Sequence, residues 1–405
     1  MKHLFVAFWL TFILTPLTQA TEVSDGITYL NQIREKSGLI PLTYEPHLEK
    51  AAISHATYLI KHQSYGHNEK RGSQGYTGVT PSERIIAAGY PTYFGRENIV
   101  GNTASVKEGI DYLFSAIYHR FVFLDFDKDQ IGGGVSKDGR KKLIQSLYVY
   151  DLGASGVGDL CQHSFVLAPN TFYVEHLCKE TTKKIPKERL DQVLASVQNK
   201  NEAIVYYPYA NQKDIWPAFY DESPDPLPSY GVSGFPVSVQ FNPLYYHDVV
   251  LKSFTLIDGN GQKLKEVKVI QKSNDPNHRF SGLEFALMPL KRLEFGMRYT
   301  AVFEAIVDGK KIEKKWSFST KNIEEPFYKI TQSETILKLK KGATVILYVV
   351  PSHPNDIIKT YRIQRGMKVR FLDQNTLKVT LPSEAMVKHA TLTLGKKKIV
   401  FNIQK

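Results

Sequence analysis

Long apolar runs are missing from almost the whole chain: past residue 20, nothing is apolar for long enough to span a bilayer. The opening stretch, MKHLFVAFWLTFILTPLTQA, is itself too short to span one comfortably. Lys2 and His3 precede an apolar run over 4–17, and Ala20 is small, which is the pattern of a Sec-type signal peptide over 1–20. Thr21 follows, so no cysteine stands ready for a lipid anchor. The mature protein is expected to be soluble and exported, periplasmic or extracellular, with no transmembrane segment.

Cysteine is scarce as well. Cys161 and Cys178 are the only two, so the chain carries either one disulfide or two free thiols. An oxidising compartment favours the disulfide, which closes a loop worth about 3 kcal/mol. Internal repeats and low-complexity tracts are absent. Acidic residues become rare at the C-terminus: from Phe327 to Lys405, 15 Lys and Arg stand against 4 Asp and Glu, most of the chain's net +12.

What is present divides by texture. A length of 405 residues is enough for two to four domains. Residues 21–155 mix helix and strand. SDGITYLNQIREKSGL has Ile27, Leu30 and Ile33 at helical spacing, with a Ser/Asp start. YEPHLEKAAISHATYLIKHQ, PSERIIAAGY and SVKEGIDYLFSAIYHRF repeat that pattern, and QIGGGVSKDGRKKLIQSLYVYDLG reads as two strands around a KDGR turn. Residues 156–200 hold the cysteine segment and an amphipathic helix, PKERLDQVLASVQNK. Short runs rich in Val, Tyr, Phe and Thr, separated by turns such as DGNG, then fill 201–322 and point to a β-sandwich. Residues 323–405 are strand after strand and form a basic all-β module.

Three polar residues stand out. His67 lies in a glycine-rich loop, Glu97 in GRENIV and His119 late in a helix. Two imidazoles and a carboxylate would make an open zinc-type site, with water in the fourth position, or a metal-free His–Glu–His cluster. Neither the spacing nor the residue types choose between these, or show that the three meet.

Residues 27–153 resemble a bacterial member of the CAP superfamily, the cysteine-rich secretory, antigen 5 and pathogenesis-related 1 proteins with their SCP domain. The stretches that carry the likeness come in the family's order: LIPLTYEP, YGHNE, SERIIAAGY, RENIV and HRFVFLDFDKDQIGGGV. The resemblance implies a three-layer α-β-α sandwich, hence an α+β chain whose first domain is followed by two all-β modules. It also implies a cleft lined by two histidines and acids that can hold zinc or another divalent metal. Carried over, His67 and His119 are the two histidines and Glu97 is the acid. SAIYHR is one residue longer than the family's phrase, Arg96 replaces a glycine beside Glu97, and no second acid precedes His119. Arg96 is therefore expected to place a cation next to Glu97 and compete with metal. Residues 201–322 resemble the immunoglobulin-like sandwiches appended to bacterial exported proteins.

Blander readings apply elsewhere. His55 sits on an apolar helix face and reads as a satisfied core histidine, and His62 faces solvent. Glu83 pairs with Arg84 or solvent. Ser115, one turn before His119, has no oxyanion-hole or nucleophile-elbow signature to support it. GGG at 132–134 lacks a phosphate-loop lysine and reads as close strand packing. His163 and His176 flank the cysteine loop and could bind metal with it. The C-terminal lysines guard strand edges or attract anionic envelope polymers and lipids; nucleic acid is not expected. The leading expectation is a non-enzymatic binding protein whose cleft takes a divalent metal, a small apolar ligand or a peptide at the cell envelope. The rivals are a metal-dependent, peptidase-like hydrolase, with metal on His67 and His119 and Glu97 as general base, and a structural protein with a vestigial cleft.

Overall fold

The computed structural model describes residues 14–140, 142–384 and 388–404. Most of the signal-peptide segment, residues 1–13, lies outside them. Contacts divide the chain into two compact units: residues up to Tyr206 together with Gln240–His247, and Tyr207–Val239 together with the chain from Asp248 onward.

The first unit runs α1 (Leu14–Lys36), β1 (Thr43–Tyr44), α2 (Pro46–His62), α3 (Pro81–Ala88), β2 (Arg96–Gly101), α4 (Val106–Ser115), α5 (Ile117–Phe123), β3 (Gln130–Lys137), β4 (Ser146–Gly153), α6 (Ser155–Gln162), β5 (Tyr173–Val174), β6 (Ile185–Pro186) and α7 (Lys187–Gln198). Four strands form one sheet of order β1-β3-β4-β2. The glycines of β3 show how it is covered. A Cβ on Gly132 or Gly134 would fall 1.9 Å from the Glu49 nitrogen or 2.3 Å from the Ile53 nitrogen, so α2 lies directly on that face. A Cβ on Gly133 would meet Val23 of α1 at 2.6 Å on the opposite face. Strand alternation thus puts α2 and α1 on either side, an α-β-α arrangement.

Local chemistry fixes the helix ends. Glu45 caps α2 by accepting from the Leu48 nitrogen at 2.8 Å, with Pro46 in the first turn. At α3, Thr80 accepts from the Glu83 nitrogen and Glu83 reaches back to the Val79 nitrogen at 2.7 Å. The carboxylate of Glu83 is therefore spent on its own helix rather than on Arg84.

Three sequence expectations shift. The first helix does not start at Ser24; it already runs from Leu14, and Thr28 bonds the Ser24 carbonyl inside it. The helix expected through 105–121 breaks at Ala116, whose backbone is extended. Buried Arg120 donates from Nε to the Phe114 carbonyl at 2.7 Å and so closes the end of α4 from outside. β3 and β4 pair only as far as Lys137 and Ser146, so 138–145 is a longer connection than a tight turn at KDGR.

The second unit is all β. Val249–Ile257, Arg298–Val307 and Lys310–Ser319 form an antiparallel sheet with a core of Phe254, Phe303 and Trp316. Farther on, two four-stranded sheets enclose Ile330, Val345, Leu347, Leu377, Val379, Leu392 and Phe401. Arg292 joins these parts: it pairs with Asp373 at 2.9 Å, donates to Thr376 at 2.7 Å, and lies over the Phe295 and Tyr348 rings. Tyr220 donates to the same Asp373 at 2.6 Å.

Because backbone, not a flexible side chain, faces Gly134, a methyl group there must push α2 off the sheet. Gly134→Ala is expected to cost about 3 kcal/mol, read as a lowered urea midpoint; unchanged stability would show that the helix does not rest on β3.

Candidate functional site

The site begins with a buried acid. Glu97 sits on β2, opposite Asp151 of β4, in the ladder that pairs Ile99 with Val149. Its side chain is wholly shielded from solvent. A buried carboxylate must be paired, and Glu97 is paired on both oxygens. Oε1 accepts from His67 Nδ1 at 2.8 Å, and Oε2 accepts from Arg84 Nη2 at 2.6 Å. Arg84, itself buried, also donates from Nη1 to the His67 carbonyl at 2.8 Å. His67 is thus held twice, by its ring and by its backbone. Burial pushes the Glu97 carboxyl up; the His67 hydrogen bond and the Arg84 charge outweigh it and hold the group below the usual carboxylate range.

The loop bearing His67 is braced from below. His55, fully buried in α2, has Nδ1 at 2.9 Å from Glu69 Oε1 and Nε2 at 3.1 Å from the Gly66 carbonyl. Glu69 accepts from the Thr77 nitrogen at 2.7 Å, and the Tyr58 hydroxyl accepts from the Lys70 nitrogen at 2.9 Å. His55 is therefore the satisfied core histidine its apolar setting implied, and it fixes the loop on either side of His67.

His119 arrives from the other face. Asn98, next to Glu97 but pointing away from it, donates to the His119 carbonyl at 2.9 Å. The break at Ala116 lets α5 turn, and the His67 and His119 rings lie 6.4 Å apart between centroids, at an interplanar angle of 26°. The structure brings His67, Glu97 and His119 to one place, with Glu97 inside; the His67 side chain is 40% exposed and His119 is half-buried.

Arg96 does not act as the sequence implied. Successive strand residues point to opposite faces, and Arg96 is turned outward, 62% exposed, with Nε 4.0 Å from Asp125. The cation on Glu97 is Arg84. Ser115 donates to the Tyr112 carbonyl at 2.6 Å. His62 meets the Gln74 carbonyl at 2.9 Å and His163 the Asp159 carbonyl at 2.7 Å. Among the described residues, no group of three or more His, Cys, Asp or Glu is placed to hold a metal ion, around His163 and His176 included. The cysteines do form a disulfide, with Cα atoms 5.4 Å apart. A recess of about 560 Å³ lies elsewhere in this unit, between Glu35–Ile40 and Asn199–Ala203, and holds no imidazole.

Asp151 is the acid the sequence reading passed over. It is buried, and neither of its oxygens meets a donor from the protein. Burial, then the adjacent Glu97 charge, push its carboxyl well above the ordinary aspartate value. Two acids facing each other across one ladder disfavour a second charge, and here Asp151 bears that penalty.

A metal can be tested against these donors. Glu97 offers no free oxygen, since His67 and Arg84 hold both. It fits as the outer carboxylate that orients an imidazole, not as a ligand. Even with both imidazoles counted, His67 and His119 make two groups, fewer than the three protein ligands of a catalytic zinc.

Glu97→Gln leaves buried Arg84 with only the more distant Glu69, 4.0 Å from its Nε, as counter-charge and is expected to cost about 3 kcal/mol, measured by urea unfolding; a loss below about 1 kcal/mol would mean that Glu69 or solvent compensates Arg84. Asp151 behaves oppositely. With a folded pKa above the unfolded one, it costs stability progressively as pH rises past about 4. Asp151→Asn is therefore expected to gain in melting temperature over wild type between pH about 4 and 7. A gap that stays constant or reverses over that range would show that Asp151 is ionised.

No curated protein gives a significant match to the chain. Among solved structures, an outer surface protein from Borrelia burgdorferi is similar at 21% identity and a TM-score of 0.29, over 33% of this chain and 92% of that one. An extracellular protein containing an SCP domain from Bacillus anthracis is similar at 16% identity and a TM-score of 0.31, over 36% of this chain and 45% of that one. Residues 27–150, which carry His55, His67, Arg84, Glu97 and His119, match the model of the cysteine-rich secretory protein family and constitute a CAP domain.

Proposed function

We propose that this is an exported binding protein whose CAP domain presents His67 and His119 to a ligand, and that it does not hydrolyse what it binds. The observation that carries this reading is the complete commitment of Glu97. A general base needs an oxygen free to take a proton from water, and a hydrolytic zinc needs a third protein ligand. Glu97 is poorly suited to either role, because its carboxylate is sealed from solvent and each oxygen already accepts a strong bond inside the fold. It keeps the His67 ring in one orientation, with Nε2 on the side away from the carboxylate. The ligand class is a divalent metal such as zinc, a small apolar molecule or a peptide that meets the two imidazoles.

The remaining modules place this domain. We read 201–322 as an immunoglobulin-like spacer and 323–405 as a basic module that favours anionic envelope polymers or lipids. The ladder pairing Glu334 with Lys398, Lys398 with Thr393 and Thr393 with Arg362 puts these side chains on one face, with Lys338 beside Asn402 and His389. Each well-placed cation is worth up to about 1 kcal/mol near an anionic surface. The outer surface and extracellular proteins named above support an exported reading, and no helix among the described residues is long and apolar enough to cross a membrane.

Calorimetric titration of zinc into chelator-treated protein tests the site. Micromolar binding is expected in wild type and loss of it in His67→Ala, with no peptide or ester turnover by either. Turnover that disappears in His119→Ala would replace this reading with the hydrolase. Absence of zinc binding in wild type would turn the search to metal-free ligands.

A further inference from the structure

The segment closed by Cys161–Cys178 plays no part in the imidazole site, yet it is built with care. Residues 163–173, HSFVLAPNTFY, contain no Asp, Glu, Lys or Arg. Within them, Val166 is fully exposed (101%) and Phe172 is 82% exposed, while Tyr173 is 44% exposed. Single apolar residues on a surface need no explanation. Two large ones, almost completely bare on an uncharged protruding loop, do call for one.

This loop is not core that has failed to pack. Phe165 and Val174 turn inward and join Val157, Leu160, Leu177 and Ile185. Their neighbours Val166 and Phe172 turn out. The root is fastened by the disulfide, by the β5–β6 ladder, by Lys187 donating its backbone nitrogen to the Phe172 carbonyl at 2.9 Å, and by Lys183 Nζ on the Cys161 carbonyl at 2.5 Å. Ala168 and Thr171 close a turn at the tip, nitrogen to carbonyl at 3.2 Å. A loop so rooted cannot fold its tip residues back without breaking its base.

Cations lie behind the tip, not on it. Lys179 is exposed beside Cys178, and Lys184 lies over the Tyr173 ring at 4.5 Å, its Nζ 3.9 Å from Glu175. An apolar point, an aromatic ring with a polar end, and then lysines is the order of groups met along the normal of an anionic bilayer, from acyl chains to headgroups.

We propose that the disulfide-rooted loop 161–178 is a membrane-contact finger, with Val166 and Phe172 entering the interface of an anionic bilayer and Tyr173, Lys179 and Lys184 at headgroup level. The proposal does not depend on the imidazole site.

Flotation of the purified protein with vesicles tests it, using phosphatidylcholine alone and phosphatidylcholine with phosphatidylglycerol. Wild type is expected to bind the anionic vesicles. Val166→Ser with Phe172→Ser is expected to lose at least about tenfold in partitioning, with an unchanged melting temperature. Lys338→Gln with Lys398→Gln separates this contact from the basic C-terminal module. Phe172→Trp adds a direct reading, since its emission is expected to shift to the blue only with the anionic vesicles. The proposal is overturned if the Val166/Phe172 variant binds as wild type does, if only the Lys338/Lys398 variant loses binding, or if the tryptophan shows no shift. It is equally overturned if the serine variant converts a dimer to a monomer while vesicle binding stays absent, which would make the occupant a second copy of the chain.

Discussion

The carboxylate of Glu97, sealed from water on a central strand, is the constraint from which the site follows. A charge in that position is tolerated only where donors surround it. Arg84 must reach it from α3, which requires α3 to lie over the sheet beside α2. His67 must reach it from the loop between them, which requires the loop to be held down. Asp151, across the ladder, is pushed toward its uncharged form by burial and by the Glu97 charge. One buried acid thus bears on the titration of another, the docking of a helix and the orientation of an exposed ring.

Packing makes that arrangement reachable. With Gly132 and Gly134 bare, α2 approaches the sheet until its backbone meets the strand. The approach carries His55 into the core, where its nitrogens find Glu69 and the Gly66 carbonyl. Side chains of ordinary size on β3 would hold α2 off, and the loop would lose the brace that His55 gives it. The glycines and the imidazole site are therefore coupled through the distance between one helix and one strand, although no glycine touches His67.

How far the sequence disclosed this differs from residue to residue. The helices, the final strand pair and the grouping of His67, Glu97 and His119 were legible, the last only through resemblance, because residues so far apart in sequence show no spacing rule. Arg84 was hidden by its neighbour: Glu83–Arg84 looks like a pair, yet adjacent helical residues do not face each other. Arg96 misled for the same reason on a strand, where the residue next to Glu97 must point the other way. Asp151 did leave a signal, a lone acid inside the apolar run SLYVYDLG. A strand buried on both faces admits such a residue only if it is paired or protonated, so period and charge together could have found it. The break at Ala116 was not legible, because it depends on Arg120 bonding the end of the preceding helix.

The division between interior and surface also bears on what the domain can do. Every strong electrostatic interaction of the site is directed inward and is already satisfied: Glu97 by Arg84 and His67, Glu69 by His55 and Thr77. Catalysis needs groups whose interactions improve in the transition state, and a carboxylate with two full-strength partners has little left to gain. A ring held rigid from behind, as Glu97 holds the 40% exposed His67, is suited instead to recognition, because binding then orders few side chains. The disulfide-rooted loop follows the same physics with the opposite chemistry. There the root is satisfied by covalent and backbone ties, and apolar side chains are left facing solvent. In both places rigidity is supplied from below, and the exposed groups, the His67 ring in one and Val166 and Phe172 in the other, are placed to meet a partner.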